Sequence, residues 1–345
     1  MEMTNFNPNG AATEESGIFG LPFTKEESSL ILMPIPWEAT CSYGSGCSEA
    51  PRHIYDASKF VELYDIDLKE FYMKGISYIE PNSDIHMLSK KAVELAKPII
   101  EKAGIIDSDP KLTQNRIEID NMCKKMNEFV FENVSNLLTE GKSVGLLGGD
   151  HSVALGSIKA HLEKYPNMGV LQIDAHADLR ESFEGLKYSH ASVMHNVISE
   201  TSLKKLVQVG VRGYCQEEYE KSEAMKDRIV TFYDSNIFEK VALGDSWSSI
   251  CKEIISNLPD EVYISFDIDG LEQSCCPNTG TPVSGGPSYN QALQLIMEIS
   301  KSGKTIIGFD LVEVACGYQG SESWDAIFAG NLLYKLCGCM MLSKN

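Results

Sequence analysis

Short apolar runs recur along the chain at 30–34, 76–79, 143–147, 169–173, 206–211, 229–232, 262–266 and 305–309. Several are continuously apolar rather than alternating, which predicts strands of a parallel sheet covered on both faces. Between most of them lie stretches with the 3.6-residue spacing of amphipathic helices, clearest at 90–102, 115–138, 152–164, 189–199, 248–258 and 290–302. Alternation of this kind predicts an α/β fold, a three-layer α/β/α domain on a mainly parallel sheet of about eight strands. No linker or repeat divides the chain. Residues 1–27 read as a loose N-terminal arm and 28–345 as a single catalytic domain.

In such sheets ligands bind beyond the carboxyl ends of the strands, and four predicted strand ends carry polar residues. The run 143–147 leads into Gly148-Gly149-Asp150-His151, and 169–173 into Asp174-Ala175-His176-Ala177-Asp178. The run 262–266 leads into Asp267-Ile268-Asp269-Gly270, and 305–309 into Asp310-Leu311-Val312-Glu313.

Charge and cysteine usage narrow the picture. A formal charge of -19 argues against non-specific binding to nucleic acid or an anionic membrane surface. The polar N-terminus lacks an apolar signal-peptide core, and no apolar run reads as a membrane span. The ten cysteines form no CxxC pair, so they read as free thiols of a cytoplasmic protein. Cys275 and Cys276 stand beside a candidate site.

Residues two apart in an extended chain point the same way, so Asp174, His176 and Asp178 can converge, and Asp267 and Asp269 repeat the spacing. Clustered carboxylates repel, and burial raises their pKa values; divalent cations remove that conflict. Carboxylate with imidazole suits Mn2+, Zn2+, Fe2+ or Ni2+, and four carboxylates against two imidazoles favour a harder ion such as Mn2+. Each motif alone has a bland reading: aspartates at strand ends cap helices, and Asp150 reads as a cap or a supporting residue. Three such motifs on one sheet are harder to dismiss.

Gly148-Gly149-Asp150-His151-Ser152, Asp174-Ala175-His176-Ala177-Asp178 and Ser265-Phe266-Asp267-Ile268-Asp269-Gly270-Leu271 resemble the three signatures of the ureohydrolases, the arginase/agmatinase family. Thr279-Gly280-Thr281-Pro282 and Gly308-Phe309-Asp310-Leu311-Val312-Glu313 extend the resemblance, which runs from about residue 29 to 340. It implies an arginase/deacetylase-like fold and two Mn2+ per subunit. His151 would bind one ion and His176 the other; Asp174 and Asp267 would bridge, Asp178 would complete the first site and Asp269 the second. Asp178 would also orient the nucleophile, Glu313 would pair with a guanidinium group, and His190 in Tyr188-Ser189-His190 would shuttle a proton to the leaving amine. The resemblance further implies a small-molecule guanidino substrate and a homo-oligomer, trimer or hexamer. The products would be urea and an amine, because two cations lower the pKa of a shared water enough to attack a guanidino carbon.

The substrate stays open. Arginases carry an asparagine two places after the aspartate matching Asp178; here that place is Arg180, a candidate substrate-binding residue. Asp178-Leu179-Arg180 resembles formimidoylglutamases, whereas Tyr188-Ser189-His190 and the segment 207–212 look more like agmatinases. An agmatinase-like hydrolase is the leading reading, with arginase, guanidinobutyrase and formimidoylglutamase as alternatives. The rival classes are a one-zinc deacetylase and a metal-loaded binding or regulatory protein.

Overall fold

A computed structural model describes residues 6–41, 43–106 and 108–344. Eight strands form one sheet: β1 (Leu30–Ile35), β2 (Ile76–Tyr78), β3 (Ser143–Gly148), β4 (Gly169–Ile173), β5 (Leu206–Val211), β6 (Ile229–Tyr233), β7 (Glu261–Asp267) and β8 (Thr305–Val312). Their order is β2-β1-β3-β8-β7-β4-β5-β6, and every pairing is parallel. All eight coincide with the runs read from the sequence, with ends moved by at most three residues. β8 is the longest extension: it continues through Asp310, which therefore lies inside the sheet rather than beyond its edge.

Among the described residues, ten α-helices cover the sheet: α1 (Ala50–Ala57), α2 (Ser83–Ile100), α3 (Pro110–Thr139), α4 (Ala154–Lys164), α5 (Val193–Glu200), α6 (Gln216–Ala224), α7 (Asp234–Ala242), α8 (Trp247–Ser256), α9 (Tyr289–Lys301) and α10 (Trp324–Leu342). One apolar layer joins the sheet to α1, α8, α9 and α10. The other joins it to α2 and α3, and to α4 and α5. Helices α2 and α3 begin several residues before their apolar periodicity, at Asn82 and Asp109. Each of these side chains accepts two backbone N–H groups of the first turn, which stabilises a start that periodicity cannot reveal. Helix α10 is buried on nearly every face, so it carries no amphipathic period. By length and composition it could cross a membrane, contrary to the sequence reading, yet 78% of its apolar window is buried inside the protein. Residues of the N-terminal arm also enter this layer: Ile18, Phe19 and Leu21 are buried, and the Phe19 ring meets Tyr334 of α10 edge-on at 4.9 Å.

The four motif-bearing strands, β3, β8, β7 and β4, are the four central neighbours of the sheet. Chain segments more than a hundred residues apart therefore deliver their polar ends to one crevice.

Candidate metal centre

Two motif glycines allow the strand ends to close on one another. A Cβ on Gly149 would stand 1.7 Å from the Trp37 carbonyl oxygen, and one on Gly270 would stand 2.6 Å from the Asp174 backbone nitrogen. Only glycine lets backbone approach backbone so closely.

All six sequence-predicted ligand positions converge. His151 Nδ1 lies 3.1 Å from Asp174 Oδ2, 2.9 Å from Asp178 Oδ2 and 3.3 Å from Asp267 Oδ2. His176 Nδ1 lies 3.1 Å from Asp269 Oδ2 and 3.6 Å from Asp174 Oδ1. Two ligand groups result, His151–Asp174–Asp178 and Asp174–His176–Asp269, and Asp174 belongs to both. Asp267 lies against His151 and accepts the Asp269 N–H at 2.9 Å, joining one group to the other.

The electrostatics show what this cluster lacks. Burial lifts Asp178 to about 7, with Asp174 adding to the effect, and lifts Asp267 well above the usual carboxylate range. Burial also raises Asp174, but His151 and His176 outweigh it and hold Asp174 low. Burial disfavours the charged imidazoles, yet Asp269 and Asp174 beside His176 push it up to about 12. The pocket therefore demands positive charge. His151 Nδ1 is a buried atom with no hydrogen-bond partner, although three carboxylate oxygens surround it. Its separations from them are close to the edge of about 3 Å between neighbouring ligands of an octahedral ion with arms of about 2.1 Å. Imidazole and carboxylate donors with such spacing fit divalent cations of the Mn2+ type.

Behind the ligands stands a polar scaffold. Thr231 Oγ1 donates to Gln208 at 2.9 Å, Gln208 Nε2 donates to Gln172 at 2.6 Å, and Gln172 Nε2 donates to Asp174 Oδ2 at 2.6 Å. These residues sit opposite one another on β6, β5 and β4, so strand register itself orients Asp174. Arg212 donates to the carbonyls of Gly210, Asp269, Gly270, Leu271 and Val283 at 2.8–3.1 Å, clamping the turn that carries Asp269. Asp178 and Glu313 both have positive φ, at 53° and 61°. Side chains rarely adopt this region, and it concentrates at functional sites.

A cavity of about 290 Å³ opens over the cluster, lined among others by His176, Asp178, Arg180, His190, Tyr214 and Thr281. His190 Nδ1 is 3.2 Å from Thr40 Oγ1, and the Thr40 hydroxyl in turn lies 3.4 Å from Asp150 Oδ2. Burial, with His176 and His151 nearby, holds His190 down to about 4. Asp150 itself caps the turn after β3, accepting the Ser152 N–H at 3.1 Å, the capping or supporting place that the sequence suggests. Arg180 lies 3.6 Å from Glu218 through Nε and 5.0 Å over the Phe183 ring; its counter-charge is thus Glu218, not the neighbouring Glu181 or Glu184. Glu313 is not among the residues lining this cavity. Its Oε1 accepts the His151 N–H at 2.8 Å, and its carboxylate lies close to the Cys41 and Cys47 thiols. Cys275, Cys276 and Cys316 are buried in the apolar layer that includes α10.

The family model for the arginase family matches residues 28–338. The chain belongs to the arginase family. It is similar to the N(1)-aminopropylagmatine ureohydrolase of Synechocystis sp., 29% identical over 90% of this chain and 89% of that protein. It is 28% identical to the agmatinase of Bacillus anthracis over 86% of this chain and 87% of that one. Among solved structures, the proclavaminate amidino hydrolase of Streptomyces clavuligerus shares the fold with a TM-score of 0.73 at 19% identity, covering 97% of this chain and 99% of that one. With its relatives named as ureohydrolases, this arginase-family chain is a hydrolase, and its fold is the arginase-like α/β one. Sequence reasoning missed the supporting residues of the centre. Gln172, Gln208 and Thr231 carry a signal, polar side chains inside otherwise apolar strands. Thr40 carries none, because only the fold brings it to the site; Arg212 ends the segment 207–212 that resembles agmatinases, but only the fold shows that it clamps the Asp269 turn.

Proposed function

We propose that this arginase-family enzyme hydrolyses a guanidino carbon–nitrogen bond, releasing urea and an amine, with an agmatine-like substrate. The observation that carries the reading is the pair of ligand groups sharing Asp174 beneath a cavity that His190 and Arg180 also line. Two Mn2+ ions are the proposed cofactor, held by His151, Asp174, His176, Asp178, Asp267 and Asp269; when bound, they supply a water of lowered pKa as nucleophile.

The chain's own groups do the rest. Asp178 would accept a hydrogen bond from that nucleophile and orient it. The family resemblance assigns the guanidinium to Glu313, which lies behind the residues lining the cavity; charge-assisted pairing there would fix the substrate's orientation. Burial, with Asp150 and Asp269 adding to it, raises Glu313 well above the usual carboxylate range, so a cationic partner would offset both burial and repulsion there. His190 exchanges a proton with the leaving nitrogen through the face opposite its Thr40 contact. Arg180, compensated by Glu218, does not present a bare cation to the amine end of agmatine.

A second reading has its own support: Arg180 lines the cavity, which favours a guanidino acid such as guanidinobutyrate. Urea release by Mn2+-loaded protein on agmatine, aminopropylagmatine, arginine and guanidinobutyrate, with formamide release from formimidoylglutamate, separates these. Agmatine or its aminopropyl derivative should lead. Arg180→Ala should leave them active and cost activity only on the acids. No urea from the guanidino compounds and no formamide or ammonia from formimidoylglutamate overturns the hydrolytic reading. The free thiols of the described cysteines suit a cytoplasmic enzyme, and the family resemblance suits a trimer or hexamer, which sedimentation would test.

A further inference from the structure

The loop after β1 brings two thiols together. Cys41 Sγ and Cys47 Sγ lie 3.6 Å apart, and a Glu313 carboxylate oxygen lies within 4.8 Å of both sulfurs. Cys47 Sγ is also 3.5 Å from Glu38 Oε2. That oxygen accepts the Gly46 and Ser48 N–H groups at 2.8 and 2.9 Å, so the loop folds around a fixed anion. Cys47 and Glu313 are buried, and Cys41 is half-buried and offers the way in.

Two sulfurs flanked by carboxylates form a donor set for a borderline or soft divalent ion rather than for Mn2+. Tetrahedral coordination with metal–sulfur arms of about 2.3 Å separates two sulfurs by about 3.8 Å, and the observed pair nearly meets this. We propose that Cys41, Cys47 and Glu313 form a separate site for a thiophilic divalent cation such as Zn2+ or Cd2+, and that filling it withdraws Glu313 from the substrate and inhibits the enzyme. The binding half stands on the sulfur geometry alone; the inhibition half rests on the reading of Glu313 as the guanidinium partner.

Disulfide formation is the less favoured use of the same pair, because it needs a thiolate to attack. The Cys47 contact lowers the Cys41 thiol, but burial and the carboxylates of Glu313, Asp150 and Glu38 outweigh it and push Cys41 up to about 12. A cation entering the site supplies the missing positive charge, and each thiol releases its proton to solvent as the ion binds.

The test is a Cd2+ titration of the Mn2+-loaded enzyme. A sulfur-to-cadmium charge-transfer band should rise in the ultraviolet and saturate at one equivalent. Apparent KM for the best guanidino substrate should rise with little change in kcat. Cys41→Ser and, separately, Cys47→Ala should keep normal turnover without Cd2+, show a weaker band and bind Cd2+ at least about tenfold more weakly, as loss of a metal-supporting group does. No band in the wild type, or a band unchanged in both variants, overturns the site. A band without inhibition overturns the coupling through Glu313. A band in a protein that releases no urea from any compound supports the cation site and sinks only the activity.

Discussion

His151 Nε2 lies 2.9 Å from Ser265 Oγ, and Ser265 Oγ donates to Asp310 Oδ1 at 2.9 Å. The far nitrogen of a candidate ligand is thus held by a chain that ends on a buried carboxylate of β8, leaving Nδ1 to face the three aspartates. Asp310 also accepts the Phe266 N–H at 3.2 Å. Such supports fix the ring and its tautomer, and their loss typically costs about 10- to 100-fold in metal affinity. Ser265→Ala and Asp310→Asn should each weaken binding of the first Mn2+ by that order, read by competition with a chelator. Normal affinity in both would remove the relay from the account.

Asp174 is shared by the two ligand groups, whereas Asp269 belongs to one. Asp174→Asn should therefore empty both positions, and Asp269→Asn mainly the one built on His176. Elemental analysis after dialysis gives the count. Equal losses from the two variants would contradict the shared role.

His190 reaches the cavity but holds no ligand position. His190→Ala should lower turnover by roughly 10²- to 10⁴-fold, the usual weight of general acid–base catalysis, with metal content unchanged. Thr40→Val removes the hydroxyl next to His190 Nδ1 and should give a smaller loss. Full activity in His190→Ala would end the proton-transfer assignment.

His161 makes an acid-sensitive element of the core. Burial holds it down from an ordinary 6.5 to about 4. Its Nε2 has no partner, pressed where a Cβ on Gly308 would come within 2.2 Å. Between pH 6.5 and 4 the unfolded chain binds this proton and the folded chain does not, so stability falls as pH falls through that window. The shift corresponds to about 3 kcal/mol. His161→Leu should shrink the stability lost between pH 6.5 and 4 by that order, measured by urea unfolding at both values. An undiminished loss would place the acid sensitivity elsewhere.

The sequence by itself determined the eight strands, because each is apolar enough to be buried on both faces, a property of the residues alone. It also determined which residue types gather for the metals, because Asp174, His176 and Asp178, like Asp267 and Asp269, follow the two-residue repeat of an extended chain. Helices α6 and α7 escaped because they bury too few apolar residues to show a period, none in α6 and Ile237 in α7, and α10 because it is apolar all round. Tertiary structure alone decided that β7 and β8 insert between β3 and β4, and that insertion is what turns three separate motifs into one centre. It also decided the partners. Arg180 meets Glu218, Thr40 meets His190, and Cys41 meets Cys47 beside Glu313, because these contacts depend on how the loops and helices beyond the strand ends pack over the same crevice. Local spacing fixes the direction of a side chain, but only packing fixes what it faces.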